Sequence, residues 1–266
     1  VRVGVVGAGR MGRPMVARLV AAGHEVRALG RTSGNRTDLE RLGARAVRDV
    51  ADAAAQADVV LLCVFTDQQV REVCLDGGLL SAMPPGAALV VHTTASPKTI
   101  DALAAFVDGI DVIDAAVSGG PHDAAAGRLT LFVGGADDAI TRVRPVLSSY
   151  GDPVLHVGPR GSGQKVKLVN NALFAGQIGL LAEATRLGGR LGVPESTLLT
   201  ALAHGSAASR VLDLVAAGGS VASFIDVAGE FVNKDVAVVR GISAELGGDL
   251  GALEGLIQSI DVAKRV

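Results

Sequence analysis

Along the first part of the chain, short apolar runs alternate with stretches whose apolar positions recur at helical spacing. The runs are Arg2–Val6, Glu25–Leu29, Asp58–Val64, Ala88–Val91, Asp111–Ala115, Leu129–Val133 and Val154–Val157. Between the first two, Met15, Val16, Leu19 and Val20 share one helical face, and Gly23-His24 closes that helix. Thr66–Val73 and Asp137–Tyr150 also read as helices, and Thr93–Pro97 reads as a loop opening another after the Pro84-Pro85-Gly86 turn. Strands that alternate with helices predict a mostly parallel, doubly wound sheet with its ligand crevice at the strand carboxyl ends.

The pattern changes after residue 160. Gly161–Leu191 reads as one long helix, and from Leu168 to Ala182 it carries no charge, which implies that it is mostly buried. Beyond Gly192-Val193-Pro194 the segments Glu195–His204, Ser209–Ala217, Val232–Leu246 and Leu250–Lys264 are helical in pattern, and strand signals vanish. The expected architecture is α/β over residues 1–160 followed by an all-α domain over 161–266, with 161–191 as the helix that joins them.

Composition narrows the function classes. A chain that is 49% hydrophobic with a net charge of −2 can bury substantial cores and is too neutral to point to nucleic acid. Aromatic residues make up only 3%, with no Trp, so there is no stacking platform for single strands. No apolar run reaches the roughly 18 residues of a membrane span. The opening VRVGVVGAG reads as a strand and turn rather than a signal peptide. Cys63 and Cys74 show neither metal nor disulfide spacing and read as packing thiols. These features lead us to expect a cytoplasmic protein without a nucleic-acid or membrane partner.

The chemistry begins at Gly7-Ala8-Gly9-Arg10-Met11-Gly12, a GxGxxG that follows a strand and opens a helix, as a dinucleotide-binding turn must. Gly7 permits the tight turn, Gly9 lets backbone approach a pyrophosphate, and Gly12 brings the helix close to the strand. The helix N-terminus then supplies N–H donors to the phosphates, with Arg10 and Met11 beside them. The second strand ends in Gly30-Arg31-Thr32-Ser33-Gly34-Asn35-Arg36, without the acid that accepts an NAD ribose hydroxyl. Arg31 and Arg36 suit a 2′-phosphate, with the Thr32 and Ser33 hydroxyls as further donors, so NADP is expected over NAD. Val64-Phe65 and Thr94, at the ends of later strands, complete the expected cofactor contacts.

Two further stretches carry polar groups where a substrate is expected. Ser118-Gly119-Gly120 ends a strand with a hydroxyl beside consecutive backbone N–H groups, a concavity suited to a carboxylate. A serine hydrolase using His122 as base fits poorly, since GxSxG is absent. A P-loop at Gly158–Gly163 fails because Gln164 stands where Lys is required. On the long helix, Lys167 has Asn170 and Asn171 as neighbours at i+3 and i+4. A desolvated lysine among amides has a lowered pKa and suits proton transfer; the plainer reading is a lysine that snorkels to water.

Taken together, GAGRMG, DAAVSGG, GSGQKVKLVNN and the late Lys234-Asp235 pair resemble the β-hydroxyacid dehydrogenase family, in register across nearly the whole chain. The resemblance implies a Rossmann domain, a long interdomain helix and an all-α domain that forms a homodimer or higher homo-oligomer. It implies that Ser118, Gly119 and Gly120 hold a small carboxylate substrate, that Lys167 is the catalytic acid and base, and that Asn171 orients it. Lys234 is implied to close over substrate and nicotinamide, and no metal is implied. Ala116, Val91 and His122-Asp123 depart from the family pattern, and the chain stops short of its usual final helix. An imine reductase or a non-catalytic NADP-binding protein remains as an alternative on the same fold, and neither the individual hydroxyacid nor the direction of reaction is legible.

Overall fold

The computed structural model describes residues 1–263. Its first part runs β1 (Arg2–Val6), α1 (Gly12–Ala21), β2 (Glu25–Leu29), α2 (Ser33–Arg41), β3 (Arg45–Val47), α3 (Val50–Ala54) and β4 (Val59–Leu62). Next come α4 (Asp67–Arg71), a π-helical turn at Glu72–Asp76, α5 (Leu79–Ala82), β5 (Ala88–Val91), α6 (Pro97–Phe106) and β6 (Asp111–Ser118). The α/β part closes with α7 (Pro121–Ala125), β7 (Leu129–Gly134), α8 (Asp137–Leu147) and β8 (Gly151–Gly158). Five helices follow: α9 (Ser162–Arg190), α10 (Glu195–Ala203), α11 (Arg210–Ala217), α12 (Val221–Glu245) and α13 (Ala252–Ala263). The chain forms two compact units, Val1–Lys167 and Leu168–Val266, which divide within α9.

In the first unit the strands form one sheet in the order β3-β2-β1-β4-β5-β6-β7-β8, parallel except where β6 meets β7. Side chains alternate between two covered faces, which explains why the central strands β1, β4 and β5 are almost wholly apolar. Val3, Val5, Val59, Leu61, Ala88, Val90, Ile113 and Ala115 face one core, packed with Met15 and Leu19 of α1. Val6, Val60, Leu62, Leu89, Val91 and Val112 face the other, packed with Ile100 and Leu103 of α6. Cys74 lies in this second core, where burial pushes its thiol up to about 12.

The second unit is helical, with Ala175, Ile178 and Ala182 of α9 packed among Leu212 and Val215 of α11, Ile225 and Val232 of α12 and Ile257 of α13. Among the described residues no single helix is long and apolar enough to cross a membrane.

Several boundaries differ from the sequence pattern. The expected helix Val232–Leu246 begins at Val221, because Ser220 caps it by accepting the Ser223 N–H. Lys234 is therefore at mid-helix and not near a start. Thr66–Val73 splits into α4 and the π turn, Asp137–Tyr150 stops at Leu147, and the last parallel strand begins at Gly151. The expected end of the final helix at Lys264 lies outside the described residues.

Candidate active site

Strand order reverses between β1 and β4, so the turns after these neighbouring strands flank the sheet's switch point. Gly7 has φ 101°, and a Cβ there would overlap the Cys63 carbonyl oxygen that follows β4. A Cβ on Gly12 would overlap the Gly7 carbonyl, whereas one on Gly9 would meet nothing within 4 Å. Gly7 and Gly12 thus draw β1, β4 and α1 together, while Gly9 presents bare backbone to open space at the start of α1, with exposed Arg10 and half-buried Met11 beside it. This cradle fits the pyrophosphate of a dinucleotide.

Helix α2 begins at Ser33, and the Thr32 Oγ1 is its cap, accepting the Asn35 N–H at 3.2 Å. Arg36, on this helix, folds back so that its Nη1 donates to the Gly30 carbonyl at 2.9 Å, while Arg31 is exposed. Beside the switch point, after β4 and β5, the Thr93 Oγ1 accepts the Val64 N–H at 3.0 Å and donates to the Val64 carbonyl at 2.9 Å. This pair fixes the β4 and β5 ends side by side. The exposed Phe65 and half-buried Thr94 are the next residue on each.

The Ser118-Gly119-Gly120 bend lies at the end of β6, with Gly119 at φ 123°. The reading of consecutive open N–H groups needs correction here. The Gly120 N–H donates to the Asp123 Oδ2 at 2.8 Å, so one expected carboxylate donor is already held by the chain's own acid. The departure at His122-Asp123 noted in the sequence is the physical cause.

Sequence reasoning missed the residues that seat α9. Asp114, in mid-β6, is fully buried and accepts the Gly161 N–H at 2.6 Å and the Gln164 N–H at 2.8 Å. Burial pushes its carboxyl above the usual range, against the downward pull of those N–H donors. A carboxylate at a helix N-terminus satisfies donors that have no partner within the helix and complements its dipole. Gln164 is also fully buried; its side chain accepts the Ala95 N–H and donates to the Thr93 carbonyl, both at 2.9 Å. The first turn of α9 is thereby locked to β6 and to the loop after β5. An acid inside an otherwise apolar strand was the one available signal for Asp114. Asp114→Asn replaces one acceptor oxygen by a donor facing a donor, and we expect it to cost about 1–3 kcal/mol. Urea unfolding at neutral pH checks this; an unchanged midpoint would refute the seating role.

Lys167 follows one turn after Gln164 and is half-buried. Asn171, one turn further on the same face of α9, is buried. Its Oδ1 accepts from the Asn170 Nδ2 at 3.4 Å, whereas its own Nδ2 has no hydrogen-bond partner among the described residues. An unpaired buried donor costs about 1–3 kcal/mol, which sets this amide apart from the hydrogen-bonded polar groups of the core. Asn171 lines a cavity of the helical unit, as does Asp235, which follows the half-buried Lys234 on α12.

Comparison with known proteins gives the family. Residues 2–158 match the NAD binding domain of 6-phosphogluconate dehydrogenase, and residues 161–263 match the domain described as NAD-binding of NADP-dependent 3-hydroxyisobutyrate dehydrogenase. The chain is 34% identical over 216 residues to the 2-(hydroxymethyl)glutarate dehydrogenase of Eubacterium barkeri, covering 80% of this chain and 72% of that protein. It is 34% identical over 216 residues to the NAD-dependent L-serine dehydrogenase of Pseudomonas aeruginosa, with the same coverage of 80% and 72%. The structure of the Mycobacterium tuberculosis 3-hydroxyisobutyrate dehydrogenase with L-serine superposes with a TM-score of 0.86 at 28% identity, covering 99% of this chain and 92% of that one.

Fold and cradle define a nucleotide-dependent oxidoreductase with an N-terminal Rossmann sheet and a helical C-terminal part. The chain belongs to the β-hydroxyacid dehydrogenase family typified by 3-hydroxyisobutyrate dehydrogenase. It is an NAD(P)-dependent enzyme acting on CH–OH groups.

Proposed function

We propose that this enzyme interconverts a small β-hydroxyacid and its semialdehyde with NADP(H), using Lys167 as general acid and base. The observation that carries the reading is the buried, unpartnered Nδ2 of Asn171, one turn from Lys167 on a helix seated by Asp114 and Gln164. When bound, the nicotinamide exchanges a hydride with the carbinol carbon. In reduction Lys167 gives its Nζ proton to the forming alkoxide, and in oxidation it takes the hydroxyl proton. The Asn171 Nδ2 donates to the substrate and holds it in register with that amine. Ser118 and Gly119 hold the carboxylate, and the Gly120 N–H joins them when Asp123 releases it. Lys234 contributes a second cationic contact to substrate and cofactor. A panel of semialdehydes and hydroxyacids with both nucleotides tests the reading; absence of turnover with every pair would leave only a nucleotide binder.

NADP is the preferred nucleotide in this proposal, on the basis of Arg31, Arg36 and the absence of an acid at the end of β2. Replacing both arginines by alanine is expected to raise the NADP Kd by at least about 10-fold, the loss of one to two charge-assisted hydrogen bonds. The NAD Kd should hardly move. Titration of NADPH and NADH fluorescence measures both, and equal weakening would overturn the assignment.

We further propose that the enzyme is a homo-oligomer. Leu173, Leu180 and Leu187 are exposed on α9 at intervals of one heptad, a seam that a copy of itself can cover. Leu180→Glu with Leu187→Glu should give monomers in sedimentation velocity, and a wild type that is itself monomeric would sink the proposal.

A further inference from the structure

Resting on the reading above, the cavity of the helical unit allows the substrate to be defined more closely. It measures about 200 Å³ and is formed where α9 meets α12. From α9 come Asn171, Phe174 and Ala175, at i, i+3 and i+4, so they share one helical face. From α12 come Ala228, Phe231, Val232 and Asp235, again along one face. Five of these side chains are apolar, and the two alanines leave the space that the phenylalanines and valine enclose. An apolar cavity of about 150 Å³ is enough to hold benzene. A methyl group fills only a small part of such a volume.

We propose that the α-carbon of the substrate, between carboxylate and carbinol, bears an apolar substituent of branched-alkyl or phenyl size that occupies this cavity. Asn171, whose Nδ2 is buried and has no hydrogen-bond partner among the described residues, is the one amide among the residues that line this space. A second carboxylate fits badly, since the lining holds no Lys or Arg. An ammonium group would meet one carboxylate against five apolar walls and lose most of its hydration there. The reaction balances as for any member of the class. The carbinol carbon loses a hydride to the oxidised nicotinamide and its hydroxyl loses a proton to Lys167, leaving an aldehyde with the substituent unchanged.

The test is a set of 3-hydroxypropanoates substituted at carbon 2 with methyl, isobutyl, benzyl, 2-carboxyethyl or amino groups, assayed with NADP⁺ and NAD⁺. The isobutyl or benzyl acid should show kcat/KM at least about 10-fold above the methyl acid, since each methylene taken into an apolar pocket contributes on that order. Calorimetry with the unreactive 2-methyl-3-phenylpropanoate and isobutyrate should give the same order in Kd without turnover. Ala228→Phe, which fills the cavity, should abolish the advantage of the isobutyl and benzyl acids over the methyl acid. Preference for the methyl, amino or 2-carboxyethyl acid overturns the substituent assignment while the dehydrogenase reading stands. Turnover of none of the five overturns that reading as well. If the Ala228 variant does not fold, the wild-type rates and the calorimetric order decide alone.

Discussion

Replacing Lys167 by methionine is expected to lower kcat by about 10²- to 10⁴-fold, the usual contribution of a positioned general acid or base. Methionine keeps the length of the aliphatic stem and removes only the ammonium group, so the packing of α9 changes little. NADPH affinity, read from its fluorescence, should stay within about 2-fold, which separates a lost proton transfer from a lost fold. Arginine at this position should fare almost as badly, since a guanidinium does not release its proton near neutral pH. A methionine variant that retains more than about one fifth of wild-type kcat would show that another group moves the proton. Asn171→Ala should act differently. It removes an orienting donor, so both kcat and KM should worsen, by less than the lysine change.

The second large effect is on stability in acid. His92 is buried just beyond the end of β5; its Nδ1–H donates to the Ala115 carbonyl at 2.6 Å, which leaves the Nε2 to accept the Tyr150 hydroxyl proton at 2.9 Å. The two rings meet edge to face, 5.5 Å apart. Both imidazole nitrogens are therefore committed in the neutral tautomer. Burial lowers its pKa from 6.5 to about 4. The unfolded chain thus takes up a proton near pH 6.5 that the folded chain refuses until about pH 4. This contribution to stability is complete above the unfolded pKa and is lost as pH falls through that window, by about 3 kcal/mol in all. Asp114 works in the opposite sense. Its folded pKa lies above 3.8, so its protonation favours the folded state as pH falls into the carboxylate range. Urea unfolding at several pH values, for wild type and His92→Gln, isolates the histidine. The difference between the two proteins should shrink from pH 7 toward pH 4, and a difference independent of pH would refute the assignment.

The cofactor cradle and the seating of α9 show how legibility divides. Gly7, Gly9 and Gly12 follow a strand and open a helix within a few residues, so their roles depend on local backbone geometry that a motif can encode. Lys167 and Asn171 were also visible, since four residues make about one helical turn and place them on one face. Gly120 was misread because its donor is occupied by Asp123, a side chain three residues on that a turn alone does not orient. Asp114 and Gln164 were seen only as letters of motifs, with no partner assigned to either. Each looks ordinary in its own segment, a lone acid in a strand and a glutamine in a helix start.

The longer strands and helices, the change from α/β to all-α, the dinucleotide turn and the lysine face of α9 follow from the order of residues alone, whereas the short β3, α2, α3, α5 and α7 do not. The repeats of two and 3.6 residues and the allowed glycine dihedrals are properties of the local chain. The carboxylate that receives the start of α9 lies 47 and 50 residues away from its two donors, and the His92–Tyr150 pair spans 58. The cavity joins residues of α9 to residues of α12. None of these pairings has a period or a spacing of its own. Each exists because packing the sheet and the helices brings distant polar groups out of water, where they must find one another or stay unpaired.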